Sequence, residues 1–116
     1  MSRYDVIIIG AGPGGIFAAY ELAKKAPELK VAVFEAGNSL EKRKCPIDGK
    51  KIKSCINCKT CAIMSGFGGA GAFSDGKYNI TNDFGGTLYE YIGKDTAIDL
   101  MKYVDEINLA YGGNGY

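Results

Sequence analysis

Apolar and polar positions divide the chain into two ordered ends and an irregular middle. Tyr4-Asp5-Val6-Ile7-Ile8-Ile9 is a β-branched run without polar alternation that stops at a glycine, the character of a parallel strand buried on both faces. Ile16 to Lys25 reads as a helix, with Phe17, Tyr20 and Ala23-Lys24 at helical intervals and Pro27 stopping it. A second apolar run, Val31-Ala32-Val33-Phe34, ends at Glu35. Strand, glycine turn, helix, strand and acid succeed one another within about 30 residues, the size of a βαβ unit. From Ala36 to about Phe84 no amphipathic helix and no second such unit stands out. Thr87 to Ile92 then reads as a short helix opened by a Thr-x-x-Glu box, Thr87 and Glu90. A longer helix follows from about Thr96 to Ala110, with Leu100, Val104, Ile107 and Tyr111 on one face. Gly112-Gly113 ends it.

The 116 residues suffice for one domain and one core. A hydrophobic content of 47% and a charged content of 23% describe an ordinary globular chain rather than a disordered or fibrous one. The net charge of +1 gives no global field for nucleic acid. Six Lys/Arg against two acids gather between Glu41 and Lys53, a run that reads as a solvated loop sooner than as a phosphate-binding patch. No stretch approaches a membrane span, and charged residues break every early apolar run, so no signal peptide is expected. The expected compartment is the cytoplasm, where four cysteines serve as thiols or metal ligands sooner than as disulfides. Histidine is absent, which excludes His-based triads and imidazole metal sites.

Gly10-Ala11-Gly12-Pro13-Gly14-Gly15 satisfies G-x-G-x-x-G between the first strand and the helix. In such a turn the first glycine permits a tight exit from the strand. The second lets the backbone approach a pyrophosphate, and the third lets helix and strand pack closely. Free amides at the helix start, with the positive end of its dipole, hold phosphate charge. Glu35, 25 residues after Gly10, stands where a carboxylate accepts hydrogen bonds from ribose hydroxyls. With strand, helix and acid all in place, the motif points to a dinucleotide.

The opening "YDVIIIGAGPGG" resembles the N-terminal FAD-binding motif of the flavoprotein superfamily that includes glutathione reductase-like and geranylgeranyl reductase-like enzymes. The resemblance implies an α/β, Rossmann-like FAD/NAD(P)-binding fold. It places Gly10, Gly12, Pro13, Gly14 and Gly15 along the FAD pyrophosphate and Glu35 at the adenosine ribose. A carboxylate there disfavours a bound 2′-phosphate, so NADPH is not the expected occupant, although NAD(P)H remains open as the electron donor.

In the irregular middle, Cys45-Pro46 precedes Cys55, Cys58 and Cys61, and five glycines follow within Gly66–Gly76. "CPIDGKK" and "CINCKTCAIMSGFGGAGAFSDGK", continued by "FGGTLYEYIG" and "YVDEINLAYG", resemble a family of uncharacterised FAD-dependent dehydrogenases over nearly the full chain. That resemblance lays Gly66 to Lys77 along the flavin. Main-chain amides near Gly68 and Gly69 would reach the ring system, and Ser74, Asp75 and Lys77 would offer polar contacts. The glycines themselves license only close backbone approach, and a loop packed against a helix without a ligand is the alternative. Cys45, Cys55, Cys58 and Cys61 admit a tetrahedral zinc site, an iron–sulfur cluster, a thiol pair near the flavin, or free thiols. Zinc stands ahead of the cluster, because in ferredoxins the Cys-Pro follows the trio and here it precedes it.

Residues 1–36 thus form a βαβ dinucleotide unit, 37–86 a Cys/Gly-rich loop region and 87–111 a helical segment of one partial FAD-binding domain. Two clear strands do not make a stable parallel sheet, and a dinucleotide fold needs two βαβαβ halves. The chain therefore reads as the N-terminal part of a longer flavoprotein, whose substrate is an unidentified small molecule and whose catalytic residues lie elsewhere. The competing class is a small cysteine-rich metal module with an incidental glycine turn.

Overall fold

The computed structural model describes residues 3–113. The chain forms two compact units, Met1–Ser74 and Asp75–Tyr116, so the unit boundary falls inside the stretch that the sequence presents as one loop region.

In the first unit β1 (Val6–Ile9) pairs in parallel with β2 (Val31–Phe34), in the register Val6↔Val31 to Ile9↔Phe34. The ladder continues at both ends. Gly10 donates to the Phe34 carbonyl at 2.7 Å, and Asp5 donates to the Lys30 carbonyl at 2.8 Å. The crossover is α1 (Pro13–Lys25). It begins three residues before its apolar periodicity does, because proline at the first position presets the backbone and the glycines beside it carry no hydrophobic signal. Alanine, leucine and lysine fill its body, and Lys24 and Lys25 oppose the negative end of the helix dipole. Glu21 and Lys25, one turn apart, form an ion pair at 3.3 Å.

Helix α1 covers the face of the sheet that carries Val6 and Ile8. The opposite face, which the register gives to Ile7, Ile9, Ala32 and Phe34, is open, with Ile7 and Ile9 57% and 82% exposed and Phe34 also exposed. Among the described residues of this unit the expected burial on both faces is therefore not met. The rest of the unit, from Gly37 onward, is loop with 3-10 turns at Leu40–Lys42 and Ala70–Phe73.

In the second unit α2 (Leu88–Ile92) and α3 (Lys94–Ala110) are separated by Gly93 alone. The Thr87 side chain makes no capping hydrogen bond. Its ψ of 20° lies outside the extended region that a capping side chain needs, and the turn closes instead through Glu90 N–H to the Thr87 carbonyl at 2.9 Å. The buried position on α3 is Ala97, while Leu100 and Tyr111 of the expected apolar face are exposed. The segment before α2 also meets this helix, with Asn82 Nδ2 donating to the Lys94 carbonyl at 3.5 Å. At the far end Gly113 donates to Asn108 at 2.8 Å and Gly112 to Leu109 at 3.2 Å. This pair of bonds is a Schellman ending, and the positive φ of Gly112 permits it. Among the described residues no helix is long and apolar enough to cross a membrane.

Candidate functional site

The site grows from the peptide that leaves β1. Gly10 adopts φ +98°, which turns the chain sharply toward α1. Gly15 has to be glycine for a second reason, because a Cβ there would collide with the Gly10 carbonyl oxygen and stand 3.2 Å from the Ile8 side chain. Helix and strand therefore meet at backbone distance. Gly12 differs. Its φ of −81° and ψ of −173° suit any residue, and an added Cβ would meet only the Gly69 Cα at an ordinary 3.8 Å. A Cβ on Gly14 would meet nothing. Neither backbone strain nor protein packing demands glycine at 12 and 14, and the surface above them is open backbone.

The same turn opens α1. Pro13 has no N–H to satisfy, no side chain caps the helix, and the first-turn amides of Gly14 and Gly15 have no acceptor within the helix. These amides and the helix dipole present positive potential at the mouth of the turn.

Glu35 leaves the end of β2 and reaches back to this turn. Oε2 accepts the Ala11 amide at 2.8 Å and Oε1 accepts the Gly37 amide at 2.7 Å. The Ala11 bond, then the Gly37 bond, hold its carboxyl below the ordinary glutamate value, with Arg43 contributing a smaller attraction. Each oxygen retains a further lone pair, so the carboxylate can accept another donor while keeping its place. Beside it lies a cavity of about 590 Å³ whose walls include Glu35, Gly37, Lys59, Thr60, Ser65 and Gly69, within the range of small-molecule sites.

The second glycine loop closes on the first turn. Gly68 donates to the Ala11 carbonyl at 2.7 Å, and Gly69, at φ +66°, brings its backbone against Gly12 and Pro13. Ser74 ends the following 3-10 turn, its amide donating to Gly71 at 3.1 Å. Asp75 and Lys77 belong to the second unit, where the Lys77 amide donates to Asp75 Oδ1 at 3.1 Å.

Sequence reasoning missed the residue that shapes this loop. Arg43, placed in the basic run expected to be solvated, is only 3% exposed. Its Nε donates to Ala62, Nη2 to Ile63, and Nη1 to both Phe67 and Gly69, all carbonyl oxygens at 2.7–2.9 Å. The guanidinium also lies 4.8 Å from the centre of the Phe73 ring. Carbonyl dipoles thus solvate a buried cation, and a fork of five donors is what holds four carbonyls at once. One signal was available. Arg43 is the single arginine among the six basic residues of its run.

Cys45, Cys55, Cys58 and Cys61 are exposed free thiols. All four line one cavity of about 210 Å³, together with Ile47 and Ile56. Among the described residues no three of His, Cys, Asp or Glu converge as a ready metal site. The amides of Met64 and Ile63 hold the Cys61 thiol below its ordinary value, with a smaller contribution from Arg43.

Known proteins resemble mainly the first part of this geometry. The Thi4 family model matches residues 1–41. Thiamine thiazole synthase of Yarrowia lipolytica is 64% identical over 33 residues, 28% of this chain and 10% of that protein. The Candida albicans thiamine thiazole synthase is 54% identical over 35 residues, 30% of this chain and 10% of its own length. An uncharacterized protein of Clostridium beijerinckii is 39% identical over 71 residues, 61% of this chain and 13% of that protein. The chain thus spans about a tenth of the length of the curated relatives it matches. Any 71-residue span of a 116-residue chain includes residues 46–71, so the bacterial likeness takes in Cys55, Cys58, Cys61 and the start of the second glycine loop. No solved structure matches.

Proposed function

We propose that this chain is the FAD-binding N-terminal portion of a flavin-dependent oxidoreductase of the dehydrogenase type, located in the cytoplasm. The observation that carries the reading is the bare backbone at Gly12 and Gly14. Among the described residues nothing requires glycine there, and close approach by a ligand would account for it. Free first-turn amides make that ligand an anion, and the pyrophosphate of a dinucleotide fits both features. Gly10, Gly12, Gly14 and Gly15 would hold the pyrophosphate and Glu35 a ribose hydroxyl, with the Gly68–Gly69 backbone and Ser74 toward the flavin. Bound FAD would supply the exchange of electrons between a substrate and a donor such as NAD(P)H, and the protein positions it and excludes solvent. The uncovered sheet face and the small share of its relatives that the chain matches support a longer chain that completes the fold and carries the substrate site.

The likeness to thiamine thiazole synthases supports a nucleotide-binding unit without transferring their reaction. It ends with the family match at residue 41, before the first cysteine and the second glycine loop, and a shared binding unit serves many chemistries. The test is to purify the longer protein, release its chromophore and identify it by chromatography against FAD, FMN and NAD standards. FAD in stoichiometric amount, lost in Gly12→Val, is the expected result. Normal flavin content in that variant, or no flavin in the wild type, would remove the reading.

A further inference from the structure

We propose that Cys45, Cys55, Cys58 and Cys61 bind one zinc ion as an all-thiolate centre that folds the segment between Arg43 and Ala62. This does not rest on the FAD reading. The donor set is sulfur only, because the chain has no histidine, and sulfur-only tetrahedral sites take zinc or iron.

The local chain geometry brings the four cysteine residues to the walls of one cavity. Asp48 Oδ1 accepts the amides of Lys50, Lys51 and Ile52 at 2.8–2.9 Å. Asp48 and Gly49 in turn donate to the Ile52 carbonyl. This closed loop returns the chain from Cys45 toward Cys55. Asn57, at φ +54°, then bends the chain between Cys55 and Cys58 and points its amide at Cys55 Sγ from 3.4 Å. An amide aimed at a sulfur is the outer contact that a thiolate ligand uses. The sulfurs do not converge as they stand. With Zn–S bonds of about 2.3 Å they must come within about 4 Å of one another, so binding has to draw the four exposed cysteines together.

Two further observations ask for such a centre. Every residue from Lys44 to Cys61 except Ile52 is exposed, and the segment has no helix or strand. Without apolar burial a segment of that length has little to offset its ordering entropy, which a metal crosslink does. A tetrathiolate zinc site also carries net negative charge. Lys44, Lys50, Lys51, Lys53 and Lys59 flank the cysteines along the chain, and the single acid between Lys44 and Cys61, Asp48, is engaged by the loop amides. The basic run thus has a local counter-charge. Zinc is chosen over a cluster by the order of the cysteines, with Cys45-Pro46 ahead of the trio.

Elemental analysis of the full chain, purified anaerobically without chelator, tests this, with thiol titration of the native protein in parallel. One zinc per chain is expected, with the four thiols unreactive until a strong chelator removes it and reactive afterwards. Cys45→Ser should lose the metal. Should that variant not fold, Co²⁺ added to zinc-stripped wild type should give the absorption of a tetrahedral thiolate complex. Four freely reactive thiols with no stoichiometric metal would overturn the proposal. So would iron with acid-labile sulfide in place of zinc.

Discussion

Gly68 donates its amide to the Ala11 carbonyl at 2.7 Å, so the second glycine loop is bonded to the middle of the first glycine turn. Ala11 is held from the other side by Glu35 and is 1% exposed. Arg43 grips the carbonyl of Phe67, which belongs to that same donating peptide, and the carbonyl of Gly69. Three segments far apart in sequence therefore set the position of one residue, and the open backbone of Gly12 lies directly beside it. The turn is fixed by its surroundings before any ligand arrives, which is the preorganisation that tight dinucleotide binding requires.

Gly12 and Gly15 should separate binding from folding. Gly12→Ala adds a Cβ that meets only ordinary contact, so its unfolding midpoint should stay near wild type while FAD affinity falls at least tenfold. Gly15→Ala drives a Cβ into the Gly10 carbonyl and should destabilise the unit by several kcal/mol, on the order of an overpacked core. Denaturant unfolding and flavin titration of both variants check this. Equal destabilisation by the two would show that Gly12 serves packing.

The βαβ unit was legible because each of its parts leaves a strong local mark. β-branched runs specify the strands, alanine and lysine the helix, and the spacing from Gly10 to Glu35 the turn and its acid. What remained hidden was long-range. No periodicity announces that Arg43 is buried, since its partners are carbonyl oxygens, which carry no sequence signature. The Thr87 box failed for a related reason, because a five-residue helix left the backbone at Thr87 outside the capping conformation. Leu100 and Tyr111 keep helical spacing, but spacing marks a face and not what covers it, and both are exposed.

Glu35 should give stability a defined acid limb. Its carboxyl is held below the ordinary 4.5 by the Ala11 and Gly37 amides. A depressed folded value means that the contribution is fully present above about pH 4.5 and is lost as pH falls through the lower folded value. Glu35→Gln should flatten the stability profile below pH 4.5 and leave its slope near neutrality unchanged. Glu35→Ala should also weaken FAD binding about ten- to a hundred-fold, as loss of a charge-assisted bond does. Unfolding midpoints across pH 3–7 and a binding isotherm at pH 7 read both effects, and an unchanged dissociation constant would confine Glu35 to bracing the turn.

Arg43→Lys keeps the charge and should still damage the site. A single ammonium cannot reach the carbonyls of Ala62, Ile63, Phe67 and Gly69 together, so buried acceptors lose their donors at a cost on the order of 2–3 kcal/mol. Hydrogen exchange should report it locally. The Gly68 amide, protected by Ala11 in the wild type, should exchange faster, while amides in the middle of α1 should not. Unchanged protection at Gly68 would mean that the loop holds its shape without the guanidinium.

Residues 1–116 alone should associate. Ala11 and Ala97 are the buried apolar residues among those described, neither with a large side chain, and Ile7, Ile9 and Phe34 share the uncovered face of the sheet. Covering apolar area is worth about 25 cal/mol per Å², so two copies, or one copy and a completing segment, gain by meeting over that surface. Among the described residues the parallel sheet has only these two strands, and an unpaired strand edge templates further pairing. A scaffold that shifts in this way holds Glu35, the first turn and the second glycine loop less firmly, and affinity falls with the loss of preorganisation. The expected result is concentration-dependent mass in solution, with FAD binding weaker than micromolar. Replacing Ile7 and Ile9 by threonine, which keeps β-propensity and removes apolar area, should shift the mass toward the monomer. A monomeric wild-type chain that binds FAD at nanomolar concentration would show that the exposed sheet face needs no cover.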